Sequence, residues 1–114
     1  METTLDSTVY YPYRLYMELS NIPEKFRVDI ENAAFCLKEE GCTAIYLFGS
    51  LATGEYDDSS DIDIGIMGLS PQKFIRTYSK LNNIIQNRFD LIDFDENRDM
   101  YNFLNSIGEV VKIG

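Results

Sequence analysis

The chain has 114 residues, 45% of them hydrophobic, with 8 Tyr and 7 Phe against three prolines. This composition is typical of one compact globular domain. The formal net charge of −9 disfavours long nucleic acid and anionic membranes as partners, because the summed field repels polyanions. The sequence contains no histidine, which excludes His-ligated zinc and His-based catalytic triads. Any catalysis would therefore depend on carboxylates.

Residues 1–22 are predicted to form an N-terminal arm, and residues 23–114 a single domain. The N-terminal segment lacks the basic and apolar regions of a signal peptide, and no apolar run is long enough to span a bilayer, so we expect a cytoplasmic protein without membrane association. Four tyrosines surround Pro12, and both packing on the chain's own domain and a docking surface fit them. Cys36 and Cys42 are predicted to be reduced thiols.

Apolar residues recur at helical spacing between Pro23 and Gly41, which predicts a helix packed on the core through Phe26, Ile30, Ala34 and Leu37. The run TAIYLF, residues 43–48, predicts a buried strand. It ends at Gly49-Ser50, and a short helical turn is expected over residues 51–53.

Residues 61–67, DIDIGIM, alternate with the period of a strand and place Asp61 and Asp63 on one face. Ser70-Pro71 opens a second core-facing helix with Phe74, Tyr78, Leu81 and Ile85. A strand over 89–94 (FDLIDF), a helix over 98–105 and a strand over 110–113 complete the chain. The predicted fold is α/β (α+β), a mixed β-sheet packed with helices.

The chemistry is concentrated in two acidic segments, 55–63 and 90–99, which hold more than half of the 19 acids. Such crowding raises electrostatic self-energy and favours metal binding for the acids on strands. Asp61 and Asp63, two positions apart on one face, can share a pair of Mg²⁺ ions of the kind used in phosphoryl transfer. A third carboxylate would come from Asp90 or Asp93, which alternation places on opposite faces.

Gly49-Ser50 precedes this pair by ten residues and suits the phosphate end of the same site. A glycine at a strand-to-helix turn lets a phosphate approach backbone N–H groups, and Ser50 adds a hydroxyl donor. An EF-hand calcium loop starting at Asp57 is the nearest alternative. It fails because Ile62 stands where that loop needs glycine and Gly68 where it needs the bidentate Glu.

The pattern Gly49-Ser50, Asp61-Ile62-Asp63 and Phe89-Asp90-Leu91-Ile92-Asp93 resembles the DNA polymerase β-type nucleotidyltransferase superfamily over about residues 24–113. It is most similar to the minimal nucleotidyltransferases, which include MNT antitoxins of HEPT-domain toxins. The resemblance implies that Asp61, Asp63 and Asp90 bind two Mg²⁺ ions and carry catalysis, with Asp90 accepting the proton of the attacking hydroxyl. Gly49 and Ser50 would bind the phosphates of the NTP, with ATP as the expected substrate.

The resemblance also implies a HEPT-type helical partner in trans, one of whose tyrosines would receive AMP, while a homo-oligomer stays open. Many relatives carry arginine after Gly-Ser, where this chain has Leu51, so one phosphate contact is missing. Two other functions remain open. The chain could be a binding antitoxin that neutralises its partner sterically, or a nucleotidyltransferase for small molecules.

Overall fold

The computed structural model describes residues 21–114, so the tyrosine cluster and most of the predicted N-terminal arm lie outside the described residues. The arm boundary therefore stays a prediction. The elements in chain order are helix α1 Glu24–Glu39, strand β1 Ala44–Phe48, helix α2 Ser50–Thr53, strand β2 Ile62–Met67, a 3-10 turn Pro71–Lys73, helix α3 Phe74–Ile84, strand β3 Phe89–Asp93, helix α4 Arg98–Ser106 and strand β4 Val110–Lys112. The sequence predicted the strands and the other helices to within about two residues, but the helix expected to open at Ser70-Pro71 begins at Phe74, after a 3-10 turn.

The four strands form one mixed sheet in the order β3-β2-β1-β4. β1 is antiparallel to both of its neighbours, while β2 and β3 run parallel. The parallel pair requires a crossover, and α3 supplies it. Because of this topology, the starts of β2 and β3 meet the end of β1 at one end of the sheet. The mixed sheet packed with helices confirms the predicted fold class.

The main core lies on the face of the sheet covered by α1 and α3. Ile62, Ile64 and Ile66 are fully buried there, as the alternation of β2 predicted. They pack with the apolar stripe of α1, which includes Phe26, Ile30 and Leu37. In α3, Leu81 is fully buried and Tyr78 is 39% exposed, so the expectation that Tyr78 faces the core is wrong.

A smaller core covers only part of the opposite face. Tyr46, Phe48 and Phe94 are its buried aromatic residues, and Tyr101 and Leu104 of α4 pack against them. Gly65 makes this possible, because a Cβ at that position would lie 2.0 Å from Cε2 of Phe94. No residue of α4 is fully buried.

Two buried carboxylates join the helices to the loops. The side chain of Asp29 on α1 is 1% exposed and accepts hydrogen bonds from the backbone N–H groups of Gln86 and Asn87 just before β3. Glu40, 7% exposed, forms ion pairs with Lys73, Arg76 and Lys80. Hydrogen bonds from Lys80 and Arg76 lower the pKa of Glu40 to about 2.

Candidate active site

The residues predicted to bind metal lie at the end of the sheet where β2 and β3 begin. The strand register pairs Asp63 with Asp90 directly, and it pairs Asp63 with Phe48, the last residue of β1, on the other side. Asp61 precedes β2 by one residue. The fold thus brings Asp61, Asp63 and Asp90 beside the Gly49-Ser50 turn.

Asp63 is the most enclosed of the three carboxylates. Burial raises its pKa to about 6, and the neighbouring negative charges of Asp90 and Asp61 add to the increase. The backbone of Gly49 packs tightly against it, since a Cβ on Gly49 would lie 2.0 Å from Oδ2 of Asp63. Only glycine therefore fits at this point of the turn.

Gly49 itself adopts φ 73°, a left-handed conformation that favours glycine. The chain then enters α2 at Ser50, and the carbonyl of Gly49 accepts hydrogen bonds from the N–H groups of Ala52 and Thr53. Ser50 is half-buried beside this turn. The sharp change of direction after a fully buried strand keeps the Gly49-Ser50 backbone next to Asp63.

Asp61 forms an ion pair with Arg88, a residue that the sequence did not point to as part of the site. Nε of Arg88 lies 3.1 Å from Oδ1 of Asp61, but the contact lacks hydrogen-bond geometry. Among the residues described, Oδ1 of Asp61 is the one buried side-chain oxygen or nitrogen without a hydrogen bond. The position of Arg88, two residues before Asp90 at the start of a strand, was the available signal.

Asp90 and Asp93 have different surroundings. Asp90 is exposed and lies on the same face as Asp63. Oδ1 of Asp93 instead accepts a hydrogen bond from the backbone N–H of Asp95 at 2.9 Å, which stabilises the turn after β3. This geometry favours Asp90 as the third carboxylate of the site, while its role stays a prediction.

The donor chemistry of this cluster fits magnesium, which prefers carboxylate oxygens. Three like charges at the ends of adjacent strands, with one oxygen lacking a hydrogen bond, are better satisfied by a divalent cation than by water alone. Within residues 21–114, however, no group of three acidic, Cys or His side chains is close enough to hold a metal ion. Metal binding would therefore require the three carboxylates to move closer together.

One groove borders the cluster, and a second lies beside α2. One, of about 400 Å³, lies on the β3 side between α3 and β3 and is lined by Asp61, Tyr78, Asn82, Asn87, Arg88 and Asp90. The other, of about 280 Å³, lies beside α2 and is lined by Leu47, Leu51, Thr53, Tyr56 and Val111. Asp61 and Asp90 thus border a polar groove, while Asp63 lies on the side of Gly49.

In the part of the chain that the structure describes, no helix has the length and hydrophobicity needed to cross a membrane. Cys36 and Cys42 are both free thiols, as predicted. The thiol of Cys42 is buried, and burial raises its pKa to about 11. A thiol protonated at neutral pH is a poor nucleophile, so Cys42 is not a candidate nucleophile.

Comparison with known proteins agrees with this geometry. No curated protein matches the chain. Solved structures that share its fold include the following two. A toxin-antitoxin crystallised with AMP-PNP is 22% identical, with a TM-score of 0.57 over 73% of this chain and 71% of that one. A mutant of the toxin-antitoxin MntA-HpeT is 18% identical, with a TM-score of 0.56 over 81% of this chain and 73% of the other. The family model "Polymerase beta, Nucleotidyltransferase" matches residues 31–111, and the chain belongs to that family.

Proposed function

We propose that this protein is a Mg²⁺-dependent nucleotidyltransferase that moves AMP from ATP to a hydroxyl group. The observation that supports it most strongly is the register of β2 and β3, which sets Asp63 opposite Asp90 with Asp61 adjacent. In this proposal Asp61, Asp63 and Asp90 hold two Mg²⁺ ions, and Gly49-Ser50 binds the phosphates. The magnesium ions would neutralise charge on the phosphates as it develops.

The reaction is an in-line displacement at the α-phosphorus of ATP. The acceptor oxygen forms a bond to this phosphorus while the bond to the bridging oxygen of the β-phosphate breaks, and pyrophosphate leaves. Asp90, exposed and facing the groove on the β3 side, takes the proton of the acceptor hydroxyl. Gly49-Ser50 holds the leaving phosphates on the β1 side. The acceptor hydroxyl, beside Asp90, therefore approaches the α-phosphorus from the side opposite the leaving pyrophosphate.

We further propose that the acceptor is a tyrosine of a HEPT-type toxin and that the protein acts as its antitoxin in the cytoplasm. The two solved structures of similar fold are both described as toxin-antitoxin structures. The polar groove beside Asp90 is open on its outer side. A helical partner bound there would enclose the acceptor and exclude water.

Steric neutralisation is the second candidate. Its specific support is the ion pair between Arg88 and Asp61, because a carboxylate that is already paired with a cation does not need a metal ion. In that case the protein would bind its toxin, and the carboxylates would be dispensable.

The test is transfer of label from α-labelled ATP to the product of the adjacent gene in the presence of Mg²⁺. Wild type is compared with a variant carrying Asp61→Asn and Asp63→Asn. The matched control carries Asp57→Asn and Asp58→Asn, the same charge change in the exposed loop before β2. Label on the partner with wild type and control, and none with the site variant, would establish the transferase. Tight binding without transfer would establish steric neutralisation.

A further inference from the structure

Arg88 is fixed at the junction between β2 and β3. Its backbone carbonyl accepts a hydrogen bond from the N–H of Ile62 at 2.9 Å, and its side chain is 78% exposed. The guanidinium lies 3.1 Å from Oδ1 of Asp61 through Nε, and Nη2 donates a hydrogen bond to the carbonyl of Ser59 at 3.2 Å. One side chain therefore connects the site to the loop before β2.

The other ion-paired cations of residues 21–114 lie away from the site. Three of them surround Glu40, Lys25 pairs with Asp58, and Arg98 pairs with Asp95. Leu51 and Ala52 follow Gly49-Ser50, so this turn offers a phosphate no cationic side chain of its own. Within the described residues, Arg88 is the cation that contacts one of the three carboxylates.

The contact with Arg88 and a metal ion on the same oxygen are incompatible. A divalent cation bound to Oδ1 of Asp61 would share that oxygen with a guanidinium nitrogen 3.1 Å from it, and two positive charges drawn to one oxygen repel each other. The pair is also easy to break, because its members are 78% and 40% exposed and exposed ion pairs contribute little net free energy.

We propose that Arg88 competes with the divalent cation for Asp61 and, once displaced, binds a phosphate of the nucleotide. This inference rests on the proposed function. A guanidinium presents a planar set of N–H donors that matches phosphate oxygens, and its exposed side chain is unhindered on the outer side. Arg88 thus supplies a cationic phosphate contact, which the Gly49-Ser50 turn lacks.

The consequence is that metal and nucleotide bind cooperatively. When the metal ion binds alone, it must displace Arg88 from Asp61, and the displaced guanidinium has no new partner. When the nucleotide is also bound, the displaced guanidinium pairs with a phosphate. Because coupling between two ligands is reciprocal, each one raises the affinity for the other.

The test measures two affinities in the purified protein, that of Mn²⁺ alone by electron paramagnetic resonance and that of α,β-methylene-ATP with saturating Mn²⁺ by calorimetry. Arg88→Gln should bind Mn²⁺ alone about two- to fivefold more tightly, as expected for removing an exposed ion pair. It should bind the nucleotide about tenfold or more weakly, as expected for losing charge-assisted hydrogen bonds. Arg88→Lys should lie between Arg88→Gln and wild type.

Lys112→Gln is the matched control, since it makes the same charge change on β4, away from the site. It should leave both affinities within about twofold of wild type. An ion pair with a merely structural role would lower the unfolding temperature of Arg88→Gln without moving the two affinities in opposite directions.

The outcomes separate this inference from the proposed function. Unchanged or weaker Mn²⁺ binding by Arg88→Gln would overturn the competition for Asp61, and unchanged nucleotide binding would overturn the phosphate contact. In both cases, wild type that still binds metal and nucleotide leaves the proposed function standing. Wild type that binds no Mn²⁺ at millimolar concentration would overturn both.

Discussion

Asp63→Asn should stabilise the metal-free protein, because the charged carboxylate is unfavourable where it lies. Its pKa rises from 3.8 to about 6 on folding, through burial and the charges of Asp90 and Asp61. The folded protein therefore binds the proton more tightly than the unfolded chain. Stability contributed by the neutral form is present below about pH 4 and is lost as pH rises towards 6.

The size of the effect follows from the shift. Two pKa units correspond to about 3 kcal/mol when fully expressed, and solvent screening at this half-buried group reduces the expected gain to about 1–2 kcal/mol. Asn is nearly isosteric with Asp, so the tight packing against Gly49 is kept. The unfolding temperature at pH 7.5 should then rise by about 4–8 °C.

The assay is urea denaturation in EDTA at pH 7.5 and pH 4, repeated at pH 7.5 with Mg²⁺. The advantage of Asp63→Asn should shrink at pH 4, where wild type is also neutral at this position. Mg²⁺ should stabilise wild type and not the variant, because only wild type keeps the ligand.

Asp57→Asn is the matched control. The hydroxyl and backbone N–H of Ser59 lower the pKa of Asp57, so losing its charge should not stabilise. A variant no more stable than wild type at pH 7.5 in EDTA would refute the reasoning.

Three further variants test the surrounding structure. Gly49→Ala should lower the free energy of unfolding by about 1–3 kcal/mol, because the backbone has φ 73° and the new Cβ would overlap Asp63; urea denaturation giving wild-type stability would contradict this. Asp29→Ala should cost about 1–3 kcal/mol by leaving the partly buried N–H groups of Asn87 and its neighbour without their acceptor, whereas Asp29→Asn, which keeps one acceptor oxygen, should cost less by the same assay. Glu40→Gln should lower the stability of the protein at pH 7. It should also reduce the loss of stability between pH 4.5 and 2, since the pKa of Glu40 is lowered from 4.5 to about 2. If the variant and wild type lose stability equally over this pH range, the ion-pair role of Glu40 is refuted.

Local pattern was sufficient to predict the sheet and its helices. The alternation around Ile62, Ile64 and Ile66 fixed which face of β2 is buried, and the same rule placed Asp90 and Asp93 on opposite faces. The prediction that Tyr78 faces the core was wrong, because helical spacing alone does not show where the buried stripe of a helix ends. Its ring instead packs on Phe89 at the edge of the core, with centroids 5.0 Å apart.

The sequence analysis predicted the acidic residues of the candidate site. It did not predict Arg88, the cation that pairs with Asp61. The alternation of β2 placed Asp61 and Asp63 on one face, and the family resemblance selected Asp90 over Asp93. Arg88 is 27 residues from Asp61 along the sequence, and its contact depends on the register between β2 and β3. Nothing in the sequence near either residue specifies that register.

The register of β2 against β3 decides whether a site exists at all. A slip of β3 by one residue would bring Phe89 beside Asp63 and turn Asp90 into the core beneath α1. Such a slip would remove the site in one step instead of distorting it gradually. The hydrogen bonds from Gln86 and Asn87 to Asp29 anchor the chain immediately before β3. A residue on a distant helix that never touches a substrate thereby sets the alignment on which the reacting groups depend.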